Sequence, residues 1–337
     1  MMSVSEEMAR LDDLFGPDAL TIHRVRRCLF EKRLVVVHGS KFVLYKFFSP
    51  WRTKKLATLL NQAQGMDIRV QRPLDAVLGL GEALHHGGFW LVTAYEHGET
   101  RDAKRLNADY AASLGRTLGR LHSIQSPTFG PLFAWRAPWK TLRRHVEAEC
   151  GDVVATLGRD DPTEKTRLTA WMRSAAVVFD NRRLFNLVHG DVLQKNIILG
   201  RDVMEACLID YELAAFELAG LELASVRTRF FHGESAKYAP AFTAAYFANC
   251  DKTITADWER FGCHYLVYAN LRFAHRLLRR ARVLERRGLT AESANRLGRA
   301  RKFWRQAVAL ATAHAQGQSN PEALLTFVIH TSGICRV

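Results

Sequence analysis

Three stretches of the sequence hold residues suited to chemistry. Lys46 stands inside the apolar run "FVLYKFF", His189, Gly190, Asp191 and Asn196 lie in "LVHGDVLQKNIIL", and Asp210 follows in "CLIDYE". The polar members sit among apolar neighbours, where an unpaired polar group costs roughly 1–3 kcal/mol. A cation, a carboxylate and further oxygen donors are together what phosphoryl transfer requires. The cation stands near the nucleotide phosphates, the carboxylate orients or deprotonates the attacking hydroxyl, and the oxygens hold magnesium. Catalysis of that reaction is mainly positioning and charge stabilisation, so the elements that hold these residues decide whether the chemistry is available.

The segment from Leu34 to Phe48, "LVVVHGSKFVLYKFF", predicts two short strands joined by a turn at His38 to Ser40, with Lys46 inside the second. "WRTKKLATLLN" predicts a helix, and a β region then ends at Trp90 to Tyr95. From Asn107 the period changes: "NADYAASLGRTLGRLHSI" puts Tyr110, Leu114, Leu118 and Leu121 on one helical face, with Asn107 as its N-cap. "TRLTAWMRSAAVVF" is again helical, the motif "LVHGDVLQKNIIL" follows, a short strand pair ends in "CLIDYE", and the C-terminal part is helical. The domain boundary falls at the turn near Gly98.

The chain has 337 residues, of which 48% are hydrophobic, enough for one large domain or two lobes. Its start, "MMSVSEEMARLDDLFG", lacks the basic and apolar regions of a secretory signal, and no run reaches the apolar length of a membrane span, so a cytoplasmic location is expected. Six cysteines without a C-x-x-C pair fit reduced, buried thiols rather than a zinc site or a disulfide framework. The net charge of +14 predicts attraction to phosphate-rich or acidic surfaces. Much of it lies between Arg272 and Arg305, which reads as two helices with solvated basic faces over a stripe that includes Leu271 and Leu278. Charge alone, without a recognition motif, predicts no specific nucleic-acid binding.

In their order, "FVLYKFF", "WLVTAYEHGE", "LGRTLGRLHSI", "LVHGDVLQKNIIL", "CLIDYE" and "ELAGLELAS" resemble the aminoglycoside phosphotransferase and choline kinase family. The resemblance runs from about Phe30 to Phe230. It implies an α+β, bilobal protein-kinase-like fold. A small β-rich nucleotide-binding lobe would cover residues 1–97, and a larger helical lobe, catalytic and acceptor-binding and with a basic C-terminus, would cover residues 98–337. It also implies a kinase that uses ATP and Mg²⁺ to phosphorylate a hydroxyl of a small molecule or glycan.

Asp191 matches the family's catalytic aspartate, Asn196 and Asp210 its magnesium ligands, and Lys46 its nucleotide-phosphate lysine. Thr93, Ala94, Tyr95 and Glu96 match the hinge whose backbone holds the adenine. His189 and Glu212 are assigned to organising the catalytic loop; Glu212, two residues after Asp210, would share its face on a regular strand. His122 is assigned to packing and hydrogen bonding. Glu217, and Glu222 where the family commonly has Asp, either orient the loop or substrate or are solvated.

The sequence also departs from the family. "RVRRCLFEKRLVVV" has no glycine to form a phosphate loop, and the helix after Lys46 has no acid to pair with it. Gly190 stands where protein kinases switched by activation-loop phosphorylation have arginine, Asp-Tyr-Glu replaces Asp-Phe-Gly, and Ala-Pro-Glu is absent, which together exclude a regulated protein kinase. The lost glycine loop and helix acid leave a second reading, a catalytically weak kinase-like module that binds nucleotide or a partner. The basic chain favours an anionic acceptor, such as a phosphorylated sugar or lipopolysaccharide core met at an acidic surface, while a locally acidic pocket for a cation stays open.

Overall fold

The computed structural model describes residues 20–26, 30–37, 40–47, 50–71, 89–94, 96, 98, 106–131, 141–180, 184–199 and 205–325. By its contacts the chain divides into two compact units, Met1–Arg101 with Leu193–Glu212, and Asp102–Val192 with Leu213–Val337.

The first unit is built on an antiparallel sheet whose strands follow chain order: β1 (Leu20–Arg26), β2 (Phe30–Val37), β3 (Ser40–Phe47) and β4 (Phe89–Ala94). The predicted hairpin is β2–β3, and its turn at His38 and Gly39 lies outside the described residues. Side chains two apart share a strand face, so Val43 and Tyr45 of β3 pair with Thr93 and Leu91 of β4, and all four are buried. Helix α1 (Pro50–Gly65) packs on β3 and β4. It buries Leu56, Leu59, Leu60 and Ala63, the spacing of one helical stripe.

A hairpin of Ile197–Leu199 and Ala206–Leu208 completes this unit. Leu208 forms a parallel bridge with Val70, and Arg69 donates to the Glu205 carbonyl at 3.0 Å. These contacts group Leu193–Glu212 with the first unit, whereas a single boundary near Gly98 would leave it with its chain neighbours.

The second unit is mainly helical, with α2 (Ala108–His122), α3 (Leu142–Leu157), α4 (Pro162–Phe179), α5 (Ala219–Phe230), α6 (Ala239–Phe247), α7 (Lys252–Arg286) and α8 (Thr290–Ala315). Helix α2 starts where its N-cap predicts: Asn107 Oδ1 accepts the Tyr110 N–H at 2.8 Å. Tyr110, Leu114, Leu118 and Leu121 are all buried, as their spacing requires. Gly115 and Gly119 let α6 come close, since a Cβ there would lie 2.4 Å from the Phe242 carbonyl and 2.6 Å from that of Tyr246.

Helix α7 is buried on every side from Tyr265 to Leu271. The basic stretch from Arg272 occupies the end of α7 and most of α8, which pack on each other. Arg279, Arg280, Arg282, Arg286 and Arg287 are exposed, as solvated basic faces should be. Arg272 instead points inward, donating to the two Glu217 carboxylate oxygens at 2.9 and 2.7 Å. Burial alone would lower the Arg272 guanidinium, but Glu217, Tyr268 and Glu149 more than offset it and raise its pKa.

The strand Phe185–Val188 is wholly buried and lies between Gln125–Ser126 and Ala215–Glu217 in a small antiparallel sheet. It delivers the chain to His189. Cys150, Cys207, Cys250 and Cys263 are free thiols. Among the described residues no helix is long and apolar enough to cross a membrane.

Candidate active site

The segment after Val188 is held by a buried carboxylate. Glu222, in the first turn of α5, accepts the backbone N–H of His189 at 2.8 Å and of Gly190 at 2.6 Å. Its Oε2 also meets His122 Nε2 at 3.0 Å, and His122 Nδ1 lies 2.6 Å from the Tyr246 hydroxyl. An ionised carboxylate only accepts, so His122 Nε2 carries a proton in this arrangement. Burial would raise the Glu222 carboxyl, but the His122 hydrogen bond and charge and the His189 N–H hold it below the ordinary carboxylate value. Glu217 and Glu222 are therefore both buried and engaged, which decides against solvated helix-start glutamates.

His189 is fully buried, and its Nδ1 accepts the Asp191 N–H at 3.3 Å. Asp191 itself is partly exposed, open enough to meet a ligand. Gly190 between them has φ +79°, and a Cβ on it would sit 2.1 Å from the Leu213 carbonyl oxygen. Only glycine meets both demands, since a side chain is strained at that φ and sterically blocked as well. The loop and its support, from His122 to Tyr246, all belong to the second unit.

Asn196 and Asp210 belong to the first unit. Asn196 ends a 3₁₀ turn, Gln194–Asn196, and is buried. Its backbone carbonyl accepts the Ile209 N–H at 3.0 Å, and Ile197 pairs with Leu208, so the hairpin brings Asn196 beside the residues that lead into Asp210. Asp210 adopts φ +71°, uncommon for a residue with a side chain and tolerated best by Asn and Asp. Its carboxylate Oδ1 is buried and has no hydrogen-bond partner among the described residues.

A buried carboxylate oxygen without a protein donor is costly unless a ligand completes it. Magnesium suits such an oxygen, because it is held through one or two protein carboxylates while phosphates and water fill its other positions. Among the described residues no group of three or more His, Cys, Asp or Glu forms an all-protein metal cage.

Of the residues assigned to the nucleotide, Lys46 lies in β3 opposite Glu31 of β2 and Trp90 of β4. Helix α1 contains no Asp or Glu, so no acid for Lys46 comes from it. The Thr93 hydroxyl donates to the Val43 carbonyl at 3.2 Å. Ala94 is partly exposed, and Tyr95 lies outside the described residues. The Glu96 carboxylate is engaged by Arg69 at 3.2 Å. Arg69 was not foreseen as part of this region; its partners lie 27 and 136 residues away, beyond any local pattern. Glu212 lies in the short turn Tyr211–Leu213, and its side chain is outside what is described.

The sequence model of the phosphotransferase enzyme family matches residues 49–262, well over half of the chain and a span that contains both residues 189–196 and Asp210. The chain belongs to the phosphotransferase enzyme family. Comparison with curated protein sequences returns no match. Among solved structures, this phosphotransferase is similar to a Ralstonia eutropha protein classed as an aminoglycoside phosphotransferase, with a TM-score of 0.60 and 14% identity over 93% of this chain and 99% of that one. It is also similar to an ethanolamine kinase of Plasmodium vivax, with a TM-score of 0.54 and 11% identity over 89% and 87% of the two chains. A spectinomycin phosphotransferase solved with ADP and spectinomycin matches with a TM-score of 0.51 and 12% identity over 94% and 99%. At such identities these likenesses concern the fold, and the phosphotransferase has the protein-kinase-like α+β fold that the motifs predict.

Proposed function

We propose that this phosphotransferase moves the γ-phosphoryl group of ATP to a hydroxyl of a small molecule, with Asp191 accepting the hydroxyl proton. The observation that carries the reading is Asp210, whose buried carboxylate oxygen has no partner among the described residues, on a left-handed backbone beside Asn196. That arrangement suits a metal–phosphate ligand better than it suits folding. The spectinomycin phosphotransferase of like fold is a protein solved with ADP, which supports a nucleotide as donor, and the ethanolamine kinase supports a small alcohol as acceptor. A glycan or lipopolysaccharide acceptor rests on net charge alone.

Asn196 and Asp210 would hold magnesium, which when bound offsets the charge of the transferring phosphates. Asp191 orients the acceptor hydroxyl and takes its proton as the oxygen–phosphorus bond forms and the bond to the β-phosphate oxygen breaks, releasing ADP. Glu222, through the His189 and Gly190 N–H groups, fixes the loop that presents Asp191. Lys46 is assigned to the nucleotide phosphates, and the backbone of Thr93 to Glu96 to the adenine.

The test is transfer of labelled γ-phosphate to a panel of aminoglycosides, choline-like amines, sugars and sugar acids. Asp191→Asn should lower the rate by about 10²–10⁴-fold, the usual worth of a general base. ATP turnover that is slow and unchanged by Asp191→Asn would instead favour a nucleotide-binding module, the reading to which the missing acid in α1 points.

A further inference from the structure

A cavity of the second unit opens beside the catalytic loop. Gly190 and Val192, the two chain neighbours of Asp191, line it together with Glu217, Glu222, Arg229, Arg272 and Arg276. Its two carboxylates are already engaged, Glu217 by Arg272 and Glu222 by His122 and the loop N–H groups. Two of its three guanidinium groups are not. Neither Arg229 nor Arg276 makes a hydrogen bond or ion pair among the described residues; Arg229 lies over the Phe273 ring, 5.1 Å from its centroid.

Both side chains are partly exposed, and their two like charges line one cavity. Burial lowers the pKa of Arg229, an effect that Asp191 opposes and Arg276 reinforces. Burial and the Arg272 charge lower that of Arg276, and Glu149, Glu217 and Asp191 oppose. Arginine nevertheless stays charged at any ordinary pH. Two like guanidinium charges without a carboxylate partner of their own repel each other, and a planar oxyanion is the partner that offsets this, through two parallel N–H···O bonds.

We infer that Arg229 and Arg276 form an oxyanion subsite that binds a carboxylate or phosphate group of the acceptor next to Asp191. The inference rests on the reading above in taking Asp191 as the residue that meets the acceptor. It narrows the acceptor class to hydroxy compounds that carry an anionic group, and stacking on Phe273 holds the Arg229 fork in place to receive it. The reaction balance is unchanged, because the subsite binds and orients without bonding covalently.

Calorimetric titration of the full chain with inorganic phosphate and with acetate, at constant ionic strength and without nucleotide, tests the subsite. At least one should bind saturably, and which one binds distinguishes phosphate from carboxylate recognition. Arg229→Gln and Arg276→Gln should each weaken that binding by about tenfold or more. Arg280→Gln, which removes the same charge from an exposed position of α7, should leave it unchanged. Arg276→Lys keeps the charge without the fork and should give an intermediate loss, covering the case in which a glutamine variant fails to fold.

No binding of either anion, equal weakening in all three glutamine variants, or displacement of the anion by saturating ADP would overturn the subsite, the last by giving these arginines to the nucleotide instead. With Asp191→Asn, anion binding should persist while transfer is lost. Anion binding without transfer to any acceptor would overturn the phosphotransfer reading alone. Transfer that prefers neutral or cationic acceptors, without anion binding, would overturn the subsite alone.

Discussion

The two stretches that hold the candidate site residues are finished to different degrees. Around His189 to Asp191 the protein supplies its own partners: Glu222 accepts two loop N–H groups and meets His122, which meets Tyr246 in turn. Around Asp210 it does not, and a buried carboxylate oxygen is left without a donor among the described residues. The first region is organised before any ligand arrives, while the second leaves an oxygen that the proposed magnesium would meet. A satisfied buried network adds rigidity and is costly to break, whereas an unsatisfied group adds nothing to stability and can be changed cheaply. Stability and function should therefore separate along that line.

The largest effect on folding is expected from Glu222→Ala. It strands two backbone donors and the His122 ring in the interior, and should cost about 3–5 kcal/mol in urea unfolding as well as most activity. Gly190→Ala comes next. With φ +79° and the Leu213 carbonyl 2.1 Å from the added Cβ, the loop must shift. A loss of about 1–3 kcal/mol is expected, with a fall in kcat from misplacing Asp191.

Asp210→Asn should change stability by less than about 1 kcal/mol, since asparagine tolerates the same backbone and no protein donor is lost. The same variant should abolish any rise in melting temperature caused by magnesium with ADP. If Asp210→Asn destabilises as much as Glu222→Ala, the contrast between the two regions is wrong.

A further effect concerns acid. Burial would raise Glu149, but His275, Arg272, His145 and Tyr268 bring it down to about 2. A carboxyl whose folded value lies below its ordinary value of 4.5 stabilises the protein fully above that pH, and the contribution fades as pH falls toward 2. Melting temperatures from pH 5 to 2 should fall less steeply in Glu149→Gln than in the wild type.

Local pattern made several elements legible. The stripe of α2, its Asn107 cap and the hairpin that carries Lys46 depend on neighbours within a few residues, and such neighbours are visible in any sequence. The roles of Glu217 and Glu222 were not legible. Either could have been solvated, and what makes Glu222 an anchor is a histidine 100 residues away and a loop 32 and 33 residues away. Arg272 and Arg276 read as part of a solvated basic face because the arginines around them are exposed; only the packing of α7 turns these two inward.

Gly190 shows the same limit. In the sequence it marks the absence of a phosphate-receiving arginine, while in the fold it is a left-handed residue pressed against a carbonyl.

The sequence by itself determined the class of chemistry, because residue types at set spacings in "LVHGDVLQKNIIL" and "CLIDYE" already state which oxygen donors are available. Only the tertiary structure decided which of those donors are consumed by the protein and which are left for a ligand. That follows from the physics of burial: a polar group's availability depends on every partner within hydrogen-bond reach, and in a folded chain those partners come from any distance along it.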